Sequence, residues 1–147
     1  MKNKKTVVIL LIIFLTLCTL FIWSNSLKGP EESGKDSGFV VKLLKPLLDF
    51  LGIKDYDVQV LTVRKTAHFT EFFILGTILS FLVRSIGFRW LGYGLFYGLT
   101  VGVIDEFIQS FTGRGSSVAD VLIDFSGFCI AVLLFRVIFA FKKHKNR

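Results

Sequence analysis

Charged residues, prolines and cysteines are scarce in this chain of 147 residues. Asp, Glu, Lys and Arg make up only 20 % of it, and there are 2 Pro and 2 Cys, whereas 17 residues are Phe and 52 % are hydrophobic. Soluble domains carry about 25 % charged residues, so the composition excludes a soluble enzyme. The apolar content excludes a disordered chain, and Cys18 and Cys129, both inside apolar runs, do not form a disulfide scaffold.

Four apolar runs are long enough to cross a membrane, since a span needs about 20 residues. The predicted spans lie at about residues 7–23, 64–83, 90–111 and 118–141. The first run is longer than the apolar part of a cleaved signal peptide, which favours a retained span. We therefore predict an all-α integral membrane protein, a bundle of four transmembrane helices that forms a single domain over residues 1–147.

One side of the predicted bundle carries no acidic residue. With four spans, both chain ends share a side with the turn around residues 84–89. Its basic residues are Lys2, Lys4, Lys5, Arg84, Arg89, Lys142, Lys143, Lys145 and Arg147. Because Lys and Arg near short loops favour the cytoplasmic side, we expect both termini to be cytoplasmic. The net charge of +7 is thus explained by topology, and no nucleic-acid partner is expected.

The chain between the first two spans contains both prolines. Residues 29–34 read as a loop because Gly and Pro interrupt regular structure. From Val40 to Leu51 apolar residues recur at helical spacing between charged ones. This pattern predicts an extracytoplasmic amphipathic segment on the membrane surface, kinked or begun at Pro46. A lid packed on the other helices is the alternative.

Polar side chains concentrate at one end of the last three spans and in the loop after the third. The predicted ligand-binding residues are Arg64, His68, Glu71, Asp105, Glu106, Gln109, Arg114, Asp120 and Asp124. At 100° per residue, Arg64, His68 and Glu71 share one helical stripe. With the orientation above, these residues meet in the outer leaflet and form a polar pocket that opens outward.

Small residues continue two of these polar stripes. Gly94, Gly98 and Gly102 form a seam that leads to Asp105 on the third span, and Asp124 leads to Gly127 on the fourth. Glycines let helix backbones approach closely, so the seam is expected to pull the third span against a neighbour.

Ionisable groups inside a span cost about 2.5–3.5 kcal/mol each, so the carboxylates cannot all be buried unpaired. The expected counter-charges are Arg64, Lys65, His68 and Arg114. A salt-bridge network that only sets helix register is the alternative to a functional site.

The order of these motifs resembles the VanZ-like family. The quoted residues are Arg64-Lys65-x-Ala67-His68-Phe69-x-Glu71-Phe72 with Leu75-Gly76, then Asp105-Glu106-x-x-Gln109-x-Phe111, Arg114 and Asp120-x-x-x-Asp124-x-x-Gly127. The resemblance covers residues 64–131. It implies a multi-pass protein of the bacterial cell membrane, in a family whose founding member is associated with resistance to the glycopeptide teicoplanin.

The pocket suggests recognition of an anionic or amphiphilic cell-envelope ligand. A lipid-linked cell-wall precursor, a teichoic acid or a lipoglycopeptide has this chemistry. Arg64 and Arg114 would supply forked donors for phosphate or carboxylate. The segment from Val40 to Leu51 would hold an acyl tail in the lipid bilayer.

Two further functions stay open. The first is hydrolysis or group transfer at the outer leaflet, with a divalent cation or with His68 as general base. Its catalytic candidates are His68, Glu71, Asp105, Glu106 and Asp124. The second is transport of a proton or small solute along the same acids.

Overall fold

The structure, a computed structural model, describes residues 2–145 and the side chains of residues 3–141. Its α-helices are α1 (Lys2–Ser26), α2 (Pro30–Phe50), α3 (Tyr56–Ile86), α4 (Leu91–Phe111) and α5 (Val118–Lys145). A 3-10 turn at Phe88–Trp90 precedes α4. Residues 2–145 contain no strand, so the all-α prediction is confirmed. Some of the basic residues at the chain ends lie outside the described part of the structure. They are Arg147 and the side chains of Lys2, Lys142, Lys143 and Lys145.

Four helices are long and apolar enough to cross a membrane. These segments are Asn3–Ser26, Tyr56–Ile86, Phe88–Phe111 and Val118–Phe141. They correspond in number and order to the four predicted spans.

The second span begins earlier than its apolar run predicts. The helix starts at Tyr56 and not near residue 64, because Asp55 caps it by accepting a hydrogen bond of 3.0 Å from the Val58 amide. Backbone hydrogen bonds extend a helix whether or not its side chains are apolar. Arg64 and His68 consequently lie well inside α3 and not in its first two turns.

The predicted loop at residues 29–34 and the helix start at Pro46 are both wrong. Helix α2 begins at Pro30, where the fixed φ of proline and its missing N–H suit the first helical position. The first turn also contains Glu31 and Glu32, whose negative charges interact favourably with the positive end of the helix dipole. Pro46 lies inside the helix.

Helix α2 combines features of both alternatives for this segment. Val41 and Leu48 are buried against Val63 of α3, as expected of a packed lid. Gln59 of α3 also donates a hydrogen bond of 3.0 Å to Asp49. Another face exposes large apolar side chains, as expected of a helix on a membrane surface. They are Phe39, Leu43, Leu47 and Phe50.

Helix α3 is central and contacts every other helix. It lies closest to α5, where small residues let the two backbones meet. A Cβ on Gly76 would lie 2.5 Å from the Phe128 carbonyl oxygen, and one on Gly127 would collide with the Phe69 carbonyl. This close contact between α3 and α5 places their polar residues next to one another.

The glycine seam of α4 faces the other two core helices, as predicted. A Cβ on Gly94 would meet Leu79 of α3, and one on Gly98 would meet the Phe128 ring of α5. The same face of α4 buries Asp105. The seam thereby brings the carboxylate of α4 between α3 and α5.

Candidate functional site

The centre of the polar cluster is formed by His68 of α3, Asp105 of α4 and Asp124 of α5. His68 Nδ1 lies 3.6 Å from Asp105 Oδ2 and 3.5 Å from Asp124 Oδ1. Both aspartate side chains are fully buried, while 17 % of the His68 side chain is exposed. Three helices thus converge on one point through ionisable side chains.

Asp105 is held by neighbours on two helices. The Ser26 hydroxyl of α1 donates a short hydrogen bond to Asp105 Oδ1. The Gln109 amide, one turn later on α4, donates one of 2.9 Å to Oδ2. These two donors hold the carboxylate in place, and Oδ2 retains the capacity to accept another bond.

Arg64 and Arg114 stand between two cavities. One cavity of about 350 Å³ and another of about 160 Å³ both have Arg64, His68 and Arg114 in their walls. The Nε atoms of Arg64 and Arg114 are buried and have no hydrogen-bond partner among the described residues. The ion pairs of the described side chains include neither arginine, contrary to the expectation that both would pair with carboxylates.

Arg114 is anchored to the end of α1. Its Nη1 donates a hydrogen bond of 3.1 Å to the Asn25 carbonyl oxygen. Burial, and then the charge of Arg64, lowers the pKa of the Arg114 guanidinium. An anion between these two cations would relieve that repulsion.

Lys65, one of the expected counter-charges, forms an ion pair with Asp120. The ammonium of Lys65 contacts Asp120 Oδ1 directly and joins α3 to the start of α5. Both side chains are about one third exposed, 38 % and 30 %, so the pair lies at the rim of the smaller cavity.

A sequence profile of VanZ/LLP1 matches residues 8–140. The chain belongs to the VanZ/LLP1 family. This match covers all four apolar helices, and together they identify a multi-pass membrane protein. Comparisons with curated proteins and with solved structures give no significant match.

Glu106 of this VanZ/LLP1 protein takes a different position from its neighbour Asp105. Its Oε2 accepts a hydrogen bond of 2.8 Å from the Ser117 amide, just before α5 begins. Glu106 is not among the residues that line either cavity. Its Oε2 therefore holds the turn between α4 and α5, while its buried Oε1 has no hydrogen-bond partner among the described residues.

Two polar residues at the end of α1 contact the site but are not among the predicted site residues. Asn25 donates a hydrogen bond of 2.8 Å to Glu71 Oε1, and Ser26 binds Asp105. The signal was present as three polar residues in succession, Ser24 to Ser26, at the end of an apolar run. The predicted first span ends at about residue 23 and leaves them out.

Helix α2 and the residues before it supply another missed wall of the larger cavity. Lys28, Ser33, Asp36 and Ser37 line it together with Glu71. Lys28 donates a hydrogen bond of 2.7 Å to Asp36, and this contact raises the pKa of the Lys28 ammonium. The VanZ/LLP1 cavity thus has polar groups from α1, α2 and α3 around one opening.

Proposed function

We propose that this protein binds the anionic headgroup of a cell-envelope amphiphile in a polar pocket that opens to the outside of the bacterial cell membrane. The observation that carries the proposal is the pair of half-buried cations, Arg64 and Arg114, in the wall shared by two cavities. Their Nε atoms lack partners among the described residues. Guanidinium groups bind phosphate and carboxylate through two parallel hydrogen bonds.

The surroundings of the arginines favour an amphiphile over a small soluble anion. The larger cavity is lined by apolar side chains, Phe21, Val40 and Val63, beside its polar ones. On the same segment, α2 exposes Phe39 and Leu43 to its surroundings. An acyl chain could lie along these groups while its headgroup contacts the arginines.

The outward orientation follows from the distribution of charge. The turn before α4 carries Arg84 and Arg89, whereas Glu31, Glu32 and Asp36 lie between α1 and α3. Lys and Arg without any acidic residue mark the side of the chain ends and of this turn as cytoplasmic, so the pocket at the opposite ends of the spans lies outside. Ligands at the outer leaflet include lipid-linked cell-wall precursors, teichoic acids and lipoglycopeptides.

Lipid binding to the purified full chain in detergent tests the proposal. We expect fluorescent phosphatidylglycerol to bind more tightly than phosphatidylcholine with the same label. Arg64→Gln and Arg114→Gln should each weaken phosphatidylglycerol binding at least about 10-fold, since a hydrogen bond to a charged group contributes about 1.5–3 kcal/mol. Arg84→Gln, at the other end of α3, is the matched control and should bind like the unmodified chain.

Equal binding of the two lipids, or unchanged binding by the Arg64→Gln/Arg114→Gln double variant, would refute the proposal. Undecaprenyl phosphate, the lipid carrier of cell-wall precursors, is assayed in parallel. It separates a preference for such carriers from a preference for any anionic lipid.

We further propose that holding such a ligand reduces the action of teicoplanin at the envelope surface, in keeping with the resemblance to the VanZ-like family. Expression in a teicoplanin-sensitive host should then raise the concentration of teicoplanin needed to stop growth. The double arginine variant, present in the membrane at the same level, should not.

A second function, hydrolysis or group transfer at the outer leaflet, is favoured by one specific observation. His68 faces two buried carboxylates and also lines both cavities. An imidazole in this position can take a proton from a substrate or water. Turnover of the bound lipid, followed by mass spectrometry and lost in His68→Gln, would favour this function over binding alone.

A further inference from the structure

Asp124 is a buried carboxylate for which the described side chains supply no partner. It is 0 % exposed, and neither of its oxygens accepts a hydrogen bond. The nearby cation Lys65 contacts Asp120 instead. A buried carboxylate is unfavourable unless it is paired, hydrogen-bonded or bound to a metal ion.

His68 does not satisfy Asp124 by hydrogen bonding. His68 Nδ1 is 3.5 Å from Asp124 Oδ1 and is itself without a hydrogen-bond partner among the described residues. The separation from Asp105 Oδ2 is 3.6 Å. Typical N–H···O hydrogen bonds measure about 2.7–3.2 Å, so these atoms face one another across a gap.

Two of the three separations between these groups match a metal coordination sphere. Ligand atoms of His68, Asp105 and Asp124 all lie within 4.8 Å of one another. Two ligand atoms about 2.0–2.2 Å from a tetrahedrally coordinated cation lie roughly 3.3–3.6 Å apart. The two separations from Nδ1 agree with this value.

The ligand set is supported from behind. Ser26 and Gln109 both donate to Asp105 and hold its carboxylate in place. Hydrogen bonds of this kind orient the ligating side chains of metal sites. Two carboxylates together with a divalent cation are also electrically neutral, which suits a buried position.

The coordination sphere has an open side. His68 and Asp124 line the smaller cavity, in whose wall Arg64 and Arg114 also stand. Three protein ligands with one position open to a cavity are typical of a metal ion that binds water or substrate.

We propose that His68, Asp105 and Asp124 bind one divalent transition-metal cation, Zn²⁺ or Mn²⁺. One imidazole nitrogen and two carboxylate oxygens are a ligand set that both ions accept. The open position faces the arginine-lined cavity and takes a water molecule or an anionic oxygen. This cation site does not depend on the lipid-binding proposal, and its test uses metal ions alone.

The test is metal binding to the full-length protein in detergent. The protein is stripped with EDTA, incubated with ZnCl₂, MnCl₂ or MgCl₂, desalted and analysed by mass spectrometry of its metal content. We expect about one Zn²⁺ or Mn²⁺ per chain and little Mg²⁺, which prefers an all-oxygen octahedral shell. Co²⁺ in place of Zn²⁺ should show visible absorption bands that change in His68→Gln.

Variants assign the site to these side chains. Asp124→Asn and His68→Gln should each retain less than about one tenth of the metal, because a three-residue site loses one ligand. Gln109→Ala, which removes a donor behind Asp105, should weaken metal affinity about 10-fold. Asp57→Asn removes one charge from the exposed first turn of α3 and should bind metal like the unmodified chain.

Two outcomes overturn the proposal. The first is an unmodified chain that elutes as a single folded species but retains none of the metals tested. The second is equal retention by the unmodified chain, Asp124→Asn and His68→Gln, since the metal would then be elsewhere. Thermal unfolding with and without Zn²⁺ checks that each variant is folded. Zn²⁺ should raise the unfolding temperature only of the proteins in which all three ligands are present.

Discussion

The side-chain amide of Asn25 donates a hydrogen bond of 2.8 Å to Glu71 Oε1 and joins the end of α1 to the middle of α3. The next residue, Ser26, donates to Asp105 of α4. The first apolar helix is therefore part of the polar site, although it contains no ionisable side chain near it. Its last turn supplies neutral donors, which hold buried carboxylates without adding charge.

Loss of the Asn25 amide should loosen this end of the bundle. We expect Asn25→Ala to lower the free energy of unfolding by about 1 kcal/mol, because side-chain hydrogen bonds inside membrane proteins contribute about that much. Unfolding in mixed detergent and SDS measures the change. Ser24→Ala is the control, since the Ser24 hydroxyl bonds only to its own helix at the Phe21 carbonyl. Equal stability of the two variants would contradict the prediction.

The crossing of α3 and α5 should tolerate no side chain at Gly76. A Cβ there would lie 2.5 Å from a backbone oxygen of α5, at Phe128. We expect Gly76→Ala to reduce stability by about 1–3 kcal/mol, the usual cost of overpacking a core. Gly92→Ala, where a Cβ would meet nothing, should leave the unfolding free energy unchanged or raise it. A Gly76→Ala protein as stable as Gly92→Ala would show that the helices do not approach so closely.

The ion pair between Lys65 and Asp120 should contribute little to stability. Both side chains reach solvent, so water competes with their attraction. A double-mutant cycle with Lys65→Ala and Asp120→Ala should give a coupling of about 0.2–1 kcal/mol, as for other exposed pairs. A coupling above about 2 kcal/mol would contradict this prediction. It would mean that the two side chains are much less hydrated than their exposure indicates.

The orientation of the bundle can be tested by labelling. In a chain with Cys18 and Cys129 replaced by Ala, we expect a membrane-impermeant maleimide to label Ser116→Cys in intact cells. Asn3→Cys should react only after the cells are opened. These exposed polar positions flank opposite ends of the spans and keep every basic residue in place. If Asn3→Cys were labelled in intact cells, the topology would be the opposite of the predicted one, and the pocket would face the cytoplasm.

Several features of the fold followed from local pattern. Hydropathy predicted four apolar helices, and the stripe of Arg64 and His68 on α3 followed from helical periodicity. The start of α3 at Tyr56 did not, since a hydropathy window detects apolar side chains and misses a polar first turn capped by Asp55. The predicted loop at residues 29–34 fails for a related reason, because Pro interrupts structure inside a helix but suits its first turn, where Pro30 lies.

Charge patterns in the sequence did not predict the contacts between the polar side chains. Grouping by charge placed Glu106 beside Asp105, yet the structure turns its carboxylate to the Ser117 amide. The same reasoning paired Arg64 with carboxylates, whereas its Nε is left without a partner among the described residues. Composition states which charges must be balanced but not which atoms balance them.

The sequence by itself determined a four-span helical membrane protein and drew attention to some of its buried polar residues, such as Asp105 and Asp124. It could do so because hydropathy and helical phase depend only on residues near one another in the chain. The tertiary structure alone decided that Ser26 would hold Asp105 across 79 positions and that His68 would face both buried aspartates. Such contacts depend on how closely the helices pack and at what angle they cross. Those distances are set by glycine contacts between α3, α4 and α5, which no single helix contains.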